Sequence, residues 1–325
     1  MTRSFPLSVL FTTLLFSLTS TANPIENSQT NEEKDKPIRI ITNNWTSQIV
    51  LSEVTGRIFQ DMGYLVEYVP LSTADQWGAL AHNVANVQVE VWQGTMSEMF
   101  NRMLTGDHIV DAGTHAAKTR EEWWYPKYVE AVCPGLPDWQ ALKNCAKEFE
   151  TPFSAPSGTY FSGPWEKPDT ARVRALDLDF KVKVLTQGDD LWVELEKAAK
   201  IKRPILLFNW TPNWVESIYE GAFVEFPDHS PKCETDPSWG INKNFAHDCG
   251  NPKGGWLKKA ASKDMKSTWS CAHETLNNIN FTNLQIATAS SLVDVKKQSY
   301  KQAATNWLKD NRAIWQNWIP DRCKQ

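Results

Sequence analysis

The sequence lacks the short motifs that carry common enzyme chemistry. It has no Gly-x-Ser-x-Gly, no His-Glu-x-x-His and no glycine-rich phosphate loop. It also has no Cys-x-x-Cys pair, and its six histidines are scattered along the chain. These absences argue against a serine hydrolase, a zinc protease, a phosphate-binding loop and a resident metal. We therefore expect neither a cofactor nor catalysis.

The chain also lacks a basic excess and a long apolar segment. Its 34 Lys and Arg against 38 Asp and Glu give a net charge of −4, which argues against nucleic acid or an anionic membrane as partner. The apolar stretch from Phe5 to Leu18 is too short to span a bilayer, and small residues follow it. We predict a cleaved signal peptide over 1–22, a disordered leader over 23–36, and export to the periplasm.

Six cysteines follow the predicted signal, and an even number in an oxidising compartment predicts three disulfides. Six cysteines allow 15 pairings. Proximity along the chain favours two of them and leaves the third, so the expected pairs are Cys133–Cys145, Cys233–Cys249 and Cys271–Cys323.

Strand and helix patterns alternate from Pro37 onward, which is typical of α/β folds with parallel sheets. Strands are predicted over 38–42, 64–71, 87–92, 158–162, 180–185 and 204–209, and helices over 46–62, 75–83, 168–176 and 189–200. The tail from Ser262 to Ile319 is predicted to be mostly helical, with its tryptophans packed against the sheet. About 300 residues fit two lobes of ordinary domain size.

We predict that one lobe is discontinuous, comprising 37–117 and 216–325, and that the other comprises 118–215. A polar segment over 227–255 has no period and contains the predicted Cys233–Cys249 pair. Such a long segment is usually functional or pinned by a disulfide. Its oxygen-bearing side chains offer ligands for a hard cation, and the alternative is a polar hairpin that contacts a partner; the candidate ligands are Asp236, Asn242, Asn244 and Asp248.

The most informative feature present is the set of 16 tryptophans, many of which lie beside Pro, Gly or Asn. Ligands of open parallel sheets bind at the carboxyl ends of strands. Four tryptophans follow or end predicted strands in the two lobes: Trp45, Trp92, Trp165 and Trp210. Trp214 is a further candidate, and so is Glu90, which shares a strand face with Trp92.

Indole faces suit a cation that cannot donate hydrogen bonds, such as a quaternary ammonium group. The pattern therefore predicts an aromatic box for a methylated amine. The alternative for each tryptophan is a place in the core, and the alternative for Glu90 is a solvated acid at a strand end.

Two stretches of the sequence resemble a known family. They are Trp210-Thr211-Pro212-Asn213-Trp214, directly after an apolar strand, and Cys133-Pro134-Gly135-Leu136-Pro137-Asp138-Trp139; the early strand that ends at Trp92 adds to them. With coverage from Pro37 to about Pro320, the chain resembles the glycine-betaine-type substrate-binding proteins of ABC importers. The resemblance implies a type II periplasmic-binding-protein fold, with a small osmolyte held between the lobes by tryptophans. It also implies a monomer and an ABC permease as partner.

The sequence departs from that family at two places. Asn213 stands where many betaine binders have His, and the Cys233–Cys249 loop is not common in the family. Together with Glu90, these features resemble the trimethylamine N-oxide-binding branch. Trimethylamine N-oxide is therefore the first expected ligand, and glycine betaine or choline the second.

A secreted enzyme that acts on sugars is the main alternative, since tryptophans also stack on sugar rings. A glycosidase needs two carboxylates that flank the bond. Only Glu90 can be placed beside a strand-end tryptophan, which disfavours this alternative. A sensing domain that feeds a receptor is disfavoured as well, because no membrane helix follows.

Overall fold

The computed structural model describes residues 1, 2, 4 and 35–324. The predicted signal peptide and leader lie almost entirely outside these residues. Within the described ranges, no helix has both the length and the apolar character that crossing a bilayer requires.

Nine strands form in the described part of the chain. They are β1 Ile38–Thr42, β2 Val66–Pro70, β3 Val87–Trp92, β4 Ile109–Pro126, β5 Gly158–Ser162, β6 Phe180–Val184, β7 Leu206–Thr211, β8 Gly221–Phe223 and β9 Gly255–Ser262. The strands join in one sheet with the order β2-β1-β3-β9-β4-β7-β5-β6, and β8 pairs with β4.

The helices cover both faces of this sheet. They are α1 Thr46–Asp61, α2 Asp75–Ala81, α3 Gln93–Thr105, α4 Ala141–Cys145, α5 Asp169–Ala175, α6 Asp190–Lys200, α7 Pro231–Thr235, α8 Met265–Thr268, α9 Ser270–Asn278, α10 Asn283–Asp294, α11 Tyr300–Asp310 and α12 Arg312–Trp315. The predicted strands and helices are all present, and their ends differ by at most two residues.

The sheet has two halves with the same plan. In the first, β2, β1 and β3 are parallel, because helices α1 and α2 cross between them. In the second, β6, β5 and β7 are parallel, connected through α5 and α6. Each parallel group places the carboxyl ends of its strands at one edge, which is where the cavity described below lies.

Strand β4 belongs to both halves. Up to Thr119 it pairs with β9, in which Gly255 is the partner of Thr119. From Arg120 it pairs with β7, in which Thr211 is the partner of Arg120. The partner strand thus changes at a single peptide bond, and one continuous strand connects the two halves.

The structure contains three strands that the sequence patterns did not predict. They are β4, β8 and β9, and none of them carries a long continuous apolar run. Strand β8 pairs with the same part of β4 as the second half does. After β8 the chain pairs with the first half again at β9. The predicted division into two lobes stays a prediction.

Three disulfides connect Cys133 to Cys145, Cys233 to Cys249 and Cys271 to Cys323. These are the pairs that proximity along the chain favours. The first and second pin loops of the second half. The third connects α9 to the C-terminal residues across a separation of 52 residues.

Several tryptophans are core residues. Trp123 is fully buried in β4. Its ring stacks on Tyr160 at a centroid distance of 4.0 Å, and its Nε1 donates to Asp169 Oδ1 at 3.0 Å. In the tail, Phe281 packs against both Trp307 and Trp318. A tryptophan beside a turn residue is therefore not always a binding residue.

Candidate ligand-binding site

A cavity of about 280 Å³ lies at the edge where the strands of both halves end. The four tryptophans predicted at strand ends all line it: Trp45, Trp92, Trp165 and Trp210. The first two come from the first half of the sheet, and the other two come from the second half. The structure thus brings together residues that are up to 165 positions apart in the chain.

Local structure explains how each indole reaches the cavity. Trp45 lies between β1 and α1 in an extended conformation, and Trp92 has the same place between β3 and α3. Trp165 lies in the turn after β5, and Trp210 is the next-to-last residue of β7. A side chain at a strand-to-helix junction projects past the end of the sheet, where no neighbouring strand covers it.

The rings meet nearly at right angles. Trp165 is in edge contact with Trp45 at a centroid distance of 6.2 Å and with Trp210 at 5.4 Å. Phe208 completes this corner at 5.7 Å from Trp165. The Trp165 Nε1 donates to Asn44 Oδ1 at 2.8 Å, so this ring of the second half is anchored to the first. Edge-to-face pairs of this kind contribute about 0.5–1.5 kcal/mol each beyond their buried area.

Glu90 lies behind the wall of the cavity and is fully buried. Its Oε2 accepts hydrogen bonds from Trp45 Nε1 at 2.7 Å, Trp92 Nε1 at 3.0 Å and Ser47 Oγ at 3.0 Å. Burial raises the pKa of Glu90 to about 7, although these three donors lower it. Glu90 thus orients the two indoles through Oε2, while its buried Oε1 has no partner among the described residues. A direct contact between Glu90 and the ligand stays a prediction.

A second buried acid, Glu121, does line the cavity. Its Oε2 accepts from the Gly94 backbone N–H at 2.8 Å, and its Oε1 accepts from Thr95 Oγ1 at 2.7 Å. Burial raises the pKa of Glu121 to about 7. At Gly94 a Cβ atom would lie 2.5 Å from the Glu121 carboxylate, so glycine is required for this approach.

Glu121 was not predicted from the sequence because β4, which carries it, was not predicted. The run Glu121-Glu122-Trp123-Trp124 was a usable signal, since it puts two acids beside aromatic residues in an exported chain. Other members of the wall were not predicted either, and those with large side chains are Trp77, Met96, Met99 and Phe208.

The charge of the cavity wall has one sign. Glu121 and Glu166 line it, and the described lining residues include no Lys, Arg or His. Lys167 packs against the lining residue Phe208 and is almost fully buried. Its Nζ lies 2.9 Å from Asp169 Oδ2 and 4.1 Å from the Phe208 ring centroid, so it is already paired. The wall therefore complements a positive group and offers no counter-ion to a free carboxylate.

Trp214 does not line this cavity, and its predicted contact with a ligand stays a prediction. It directly precedes a short 3₁₀ helix over Val215–Ser217 and packs against Trp192 at 5.6 Å. Trp192 in turn packs against Trp210 at 5.2 Å, so Trp214 supports the wall from behind. The neighbouring Asn213 donates to Asn209 Oδ1 at 3.1 Å and is likewise turned into the protein.

The acids of the polar loop serve the loop itself. Asp248 is buried, and its Oδ2 accepts from the Asn242 backbone N–H at 2.7 Å. Asp236 accepts from the Ser238 backbone N–H at 3.0 Å. Among residues 35–324, no group of three or more His, Cys, Asp or Glu side chains is arranged to hold a metal ion. A cation in this loop stays a prediction.

Comparison with known proteins agrees with this geometry. The substrate-binding domain of ABC-type glycine betaine transport systems matches residues 36–310. The trimethylamine N-oxide-binding protein of Pelagibacter ubique (strain HTCC1062) is 38% identical over 292 residues, which cover 87% of this chain and 90% of that protein.

Solved structures show the same fold at low identity. Lactococcal OpuAC, in its closed form with glycine betaine, is 18% identical with a TM-score of 0.67, and the match covers 88% of this chain and all of that one. ProX of Borrelia burgdorferi is 17% identical with a TM-score of 0.70, over 89% of this chain and 98% of that one. The predicted fold, a type II periplasmic binding protein, is confirmed. The chain belongs to the family of substrate-binding domains of ABC-type glycine betaine transport systems.

Proposed function

We propose that this protein binds trimethylamine N-oxide in the periplasm and delivers it to an ABC importer. One observation carries the proposal: four indoles from both halves of the molecule line one small cavity whose charged wall residues are all acidic. The name of the Pelagibacter relative supports the same ligand.

The trimethylated nitrogen explains the aromatic wall. Its positive charge is spread over methyl groups that form no strong hydrogen bond, so a single carboxylate would hold it poorly. An indole face attracts such a group by about 0.5–2 kcal/mol, and more when water is excluded. Trp45, Trp92 and Trp210 are each less than a tenth exposed, so their contacts with a bound ligand would be desolvated.

The oxide oxygen accepts hydrogen bonds, and Glu121, whose pKa burial raises to about 7, can donate one to it when protonated. In trimethylamine N-oxide the negative oxygen is bonded to the positive nitrogen, so the ligand is neutral and needs no basic partner. Glycine betaine carries a separate carboxylate, which Glu121 would repel. Choline is the second candidate, because it lacks a carboxylate and its hydroxyl can donate to Glu121.

Ligand size limits the affinity. The best very small ligands reach about −1.5 kcal/mol per non-hydrogen atom. Trimethylamine N-oxide has about five such atoms, which gives a ceiling near −7.5 kcal/mol and a Kd of a few micromolar. We therefore expect micromolar binding, which agrees with the small number of contacts that such a ligand can make.

We further propose that the predicted signal peptide directs export, that the two lobes close on the ligand, and that the closed form is recognised by the permease. The change of β4 partners between Thr119 and Arg120 supports a hinge there. We propose that the protein binds the ligand without changing it. The alternative of a glycosidase does not fit this ligand, because trimethylamine N-oxide has no glycosidic bond for a carboxylate pair to cleave.

Calorimetric titration of the mature protein tests the proposal. We expect micromolar binding of trimethylamine N-oxide, weaker binding of choline and still weaker binding of glycine betaine, with no response to a glucan oligomer. NMR of the recovered ligand should show it unchanged. Binding of the glucan alone, or conversion of the amine, would overturn the proposal.

The Glu121→Gln variant tests the role of the acidic wall. We expect it to weaken binding of trimethylamine N-oxide and to narrow the preference over glycine betaine. Glu148→Gln, the same change at an exposed position, is the matched control and should leave both affinities unchanged. An unchanged preference in Glu121→Gln would exclude the charge as the basis of selectivity.

A further inference from the structure

Two buried polar groups from opposite halves of the molecule depend on each other. Trp214 follows β7 in the second half, and Asp294 is the last residue of α10, which packs on α1 of the first half. Burial raises the pKa of Asp294 to about 7, and hydrogen bonds from Thr46 and Trp214 lower it. In the described part of the chain, neither Trp214 Nε1 nor Asp294 Oδ2 has any other hydrogen-bond partner. This donor and this acceptor are therefore satisfied inside the protein only while the two halves stay together.

The first half alone fixes the position of Asp294. Its Oδ1 accepts from Thr46 Oγ1 at 2.8 Å, and Thr46 begins α1 directly after the cavity residue Trp45. Its backbone carbonyl accepts from Lys297 Nζ at 2.7 Å, which holds the end of α10. The carboxylate is thus anchored through one oxygen and presents the other to Trp214.

The second half supports the indole from the opposite side. Trp214 packs against Trp192 at a centroid distance of 5.6 Å, and Trp192 packs against the cavity residue Trp210 at 5.2 Å. Neither Trp214 nor Asp294 lines the cavity. Their contact therefore connects the backs of two cavity walls and leaves the ligand space free.

A second contact between the halves falls on the same segment of the first half. Trp165 Nε1 donates to Asn44 Oδ1 at 2.8 Å, two residues before Thr46. Gly188 of the second half also approaches Asn44, since a Cβ atom there would lie 2.8 Å from the Asn44 carbonyl oxygen. The two contacts thus flank Trp45, and the position of its ring depends on both.

We propose that the contact between Asp294 and Trp214 is a latch that holds the two halves closed and sets how long the ligand stays bound. The inference rests on the proposed closure of the lobes. Opening exposes both groups to water, whereas removing one partner leaves the other buried and unpaired in the closed form alone. Such a change favours opening. The apparent affinity then falls with the fraction of closed molecules, although both residues act only by positioning the halves.

The distance between the halves tests the latch without any ligand. All six cysteines are in disulfides, so nitroxide labels attach selectively to Leu284→Cys in the first half and Ile201→Cys in the second, both exposed positions. Pulsed electron paramagnetic resonance then gives the distribution of label distances. We expect ligand-free Trp214→Phe to populate longer distances than the parent protein. An unchanged distribution would overturn the inference, whichever ligand the protein binds.

Stopped-flow fluorescence with trimethylamine N-oxide measures the consequence for binding. Trp214→Phe keeps a ring and removes the N–H, and we expect it to release the ligand about tenfold faster with little change in the association rate. Trp315→Phe is the matched control, because Trp214 and Trp315 are both 8% exposed and Trp315 Nε1 donates to the Leu308 carbonyl at 2.9 Å, within the C-terminal helices. Equal release rates in the two variants would overturn the latch. A parent protein that does not bind this ligand would contradict the proposed function instead, and the label distances would still decide on the latch.

A double-mutant cycle shows whether the two residues act as one unit. Asp294→Asn should also release the ligand several-fold faster, because its side chain has one acceptor oxygen in place of two. Combined with Trp214→Phe it should be no faster than the faster single variant, since the same contact is lost only once. Asp228→Asn makes the same change at a side chain that is 93% exposed and should have no effect. Multiplied effects in the double variant would overturn the inference, and if Asp294→Asn does not fold, the label distances in Trp214→Phe decide.

Discussion

The cavity wall and the C-terminal helical layer both contain several tryptophans, yet the rings have different surroundings. In the tail, Trp307 and Trp318 stack at 6.0 Å, and Phe281 contacts both. At the cavity, Trp45 and Trp92 have a buried carboxylate behind them and open volume in front. Residue type does not distinguish a packing indole from a binding indole. The two kinds of indole differ in whether one ring face is left uncovered and in which group accepts the hydrogen bond of the indole Nε1.

The largest effect should come from the packing group. We expect Trp307→Ala to lower the free energy of unfolding by about 3–5 kcal/mol, because the ring is buried and its neighbours cannot fill the space. Urea denaturation measures this loss, and Leu284→Ala, at a position 77% exposed, is the control. The Kd for trimethylamine N-oxide should stay the same, and a large change in it would remove the distinction between the two groups.

The acids behind and within the cavity wall make stability depend on pH. Burial raises the pKa of Glu90 and of Glu121 from 4.5 to about 7. Between these values the folded state holds protons that the unfolded chain has lost, so stability is greatest at the acidic end and falls as pH rises. We expect the ligand-free protein to lose on the order of a few kcal/mol between about pH 5 and pH 8, measured by urea denaturation. Glu90→Gln should make the free energy of unfolding depend less on pH. An unchanged dependence would argue against Glu90 as its source.

The cavity tryptophans should behave in the opposite way to the packing residues Trp307 and Trp318, with the main effect on ligand affinity. We expect Trp210→Ala to weaken binding of trimethylamine N-oxide by more than about 2 kcal/mol, or roughly 30-fold, because it removes a desolvated cation–π contact. Calorimetric titration gives the Kd, with Trp307→Ala as the matched change. If Trp210→Ala bound with unchanged affinity, Trp210 would belong with the packing tryptophans.

The smallest effect should come from the group that orients the rings. At about pH 8, where Glu90 is ionised, we expect Glu90→Gln to weaken binding by about 1–2 kcal/mol, since it replaces charge-assisted hydrogen bonds to Trp45 and Trp92 with neutral ones. The same titration measures it. An effect as large as that of Trp210→Ala would mean that Glu90 contacts the ligand itself.

The parallel part of the fold and the four strand-end tryptophans could be predicted because both depend on local pattern. Apolar runs mark β1 and β7, and alternation marks β3. The rule for parallel sheets then places the following residues at one edge. These predictions required no knowledge of contacts between residues that are distant in the sequence.

The other features of the fold and the site depend on contacts between residues distant in the sequence, which the local pattern does not encode. Strand β4 mixes Lys, Arg and Glu with apolar residues because its neighbours change along its length, so no single period describes it. Glu121 could not be placed without it. The roles of Glu90 and Trp214 depend on which side of a ring they occupy, and only the tertiary structure determines that.

Because β4 passes from one half of the molecule to the other, insertions and deletions within this strand have a large structural effect. Side chains of a strand alternate between two faces, so inserting or deleting one residue between Thr119 and Arg120 would turn the whole following segment over. Glu121 would then point away from the cavity, and Trp123 would leave its stack with Tyr160. Loops elsewhere can vary in length, but at this junction the number of residues itself keeps the two sets of indoles face to face.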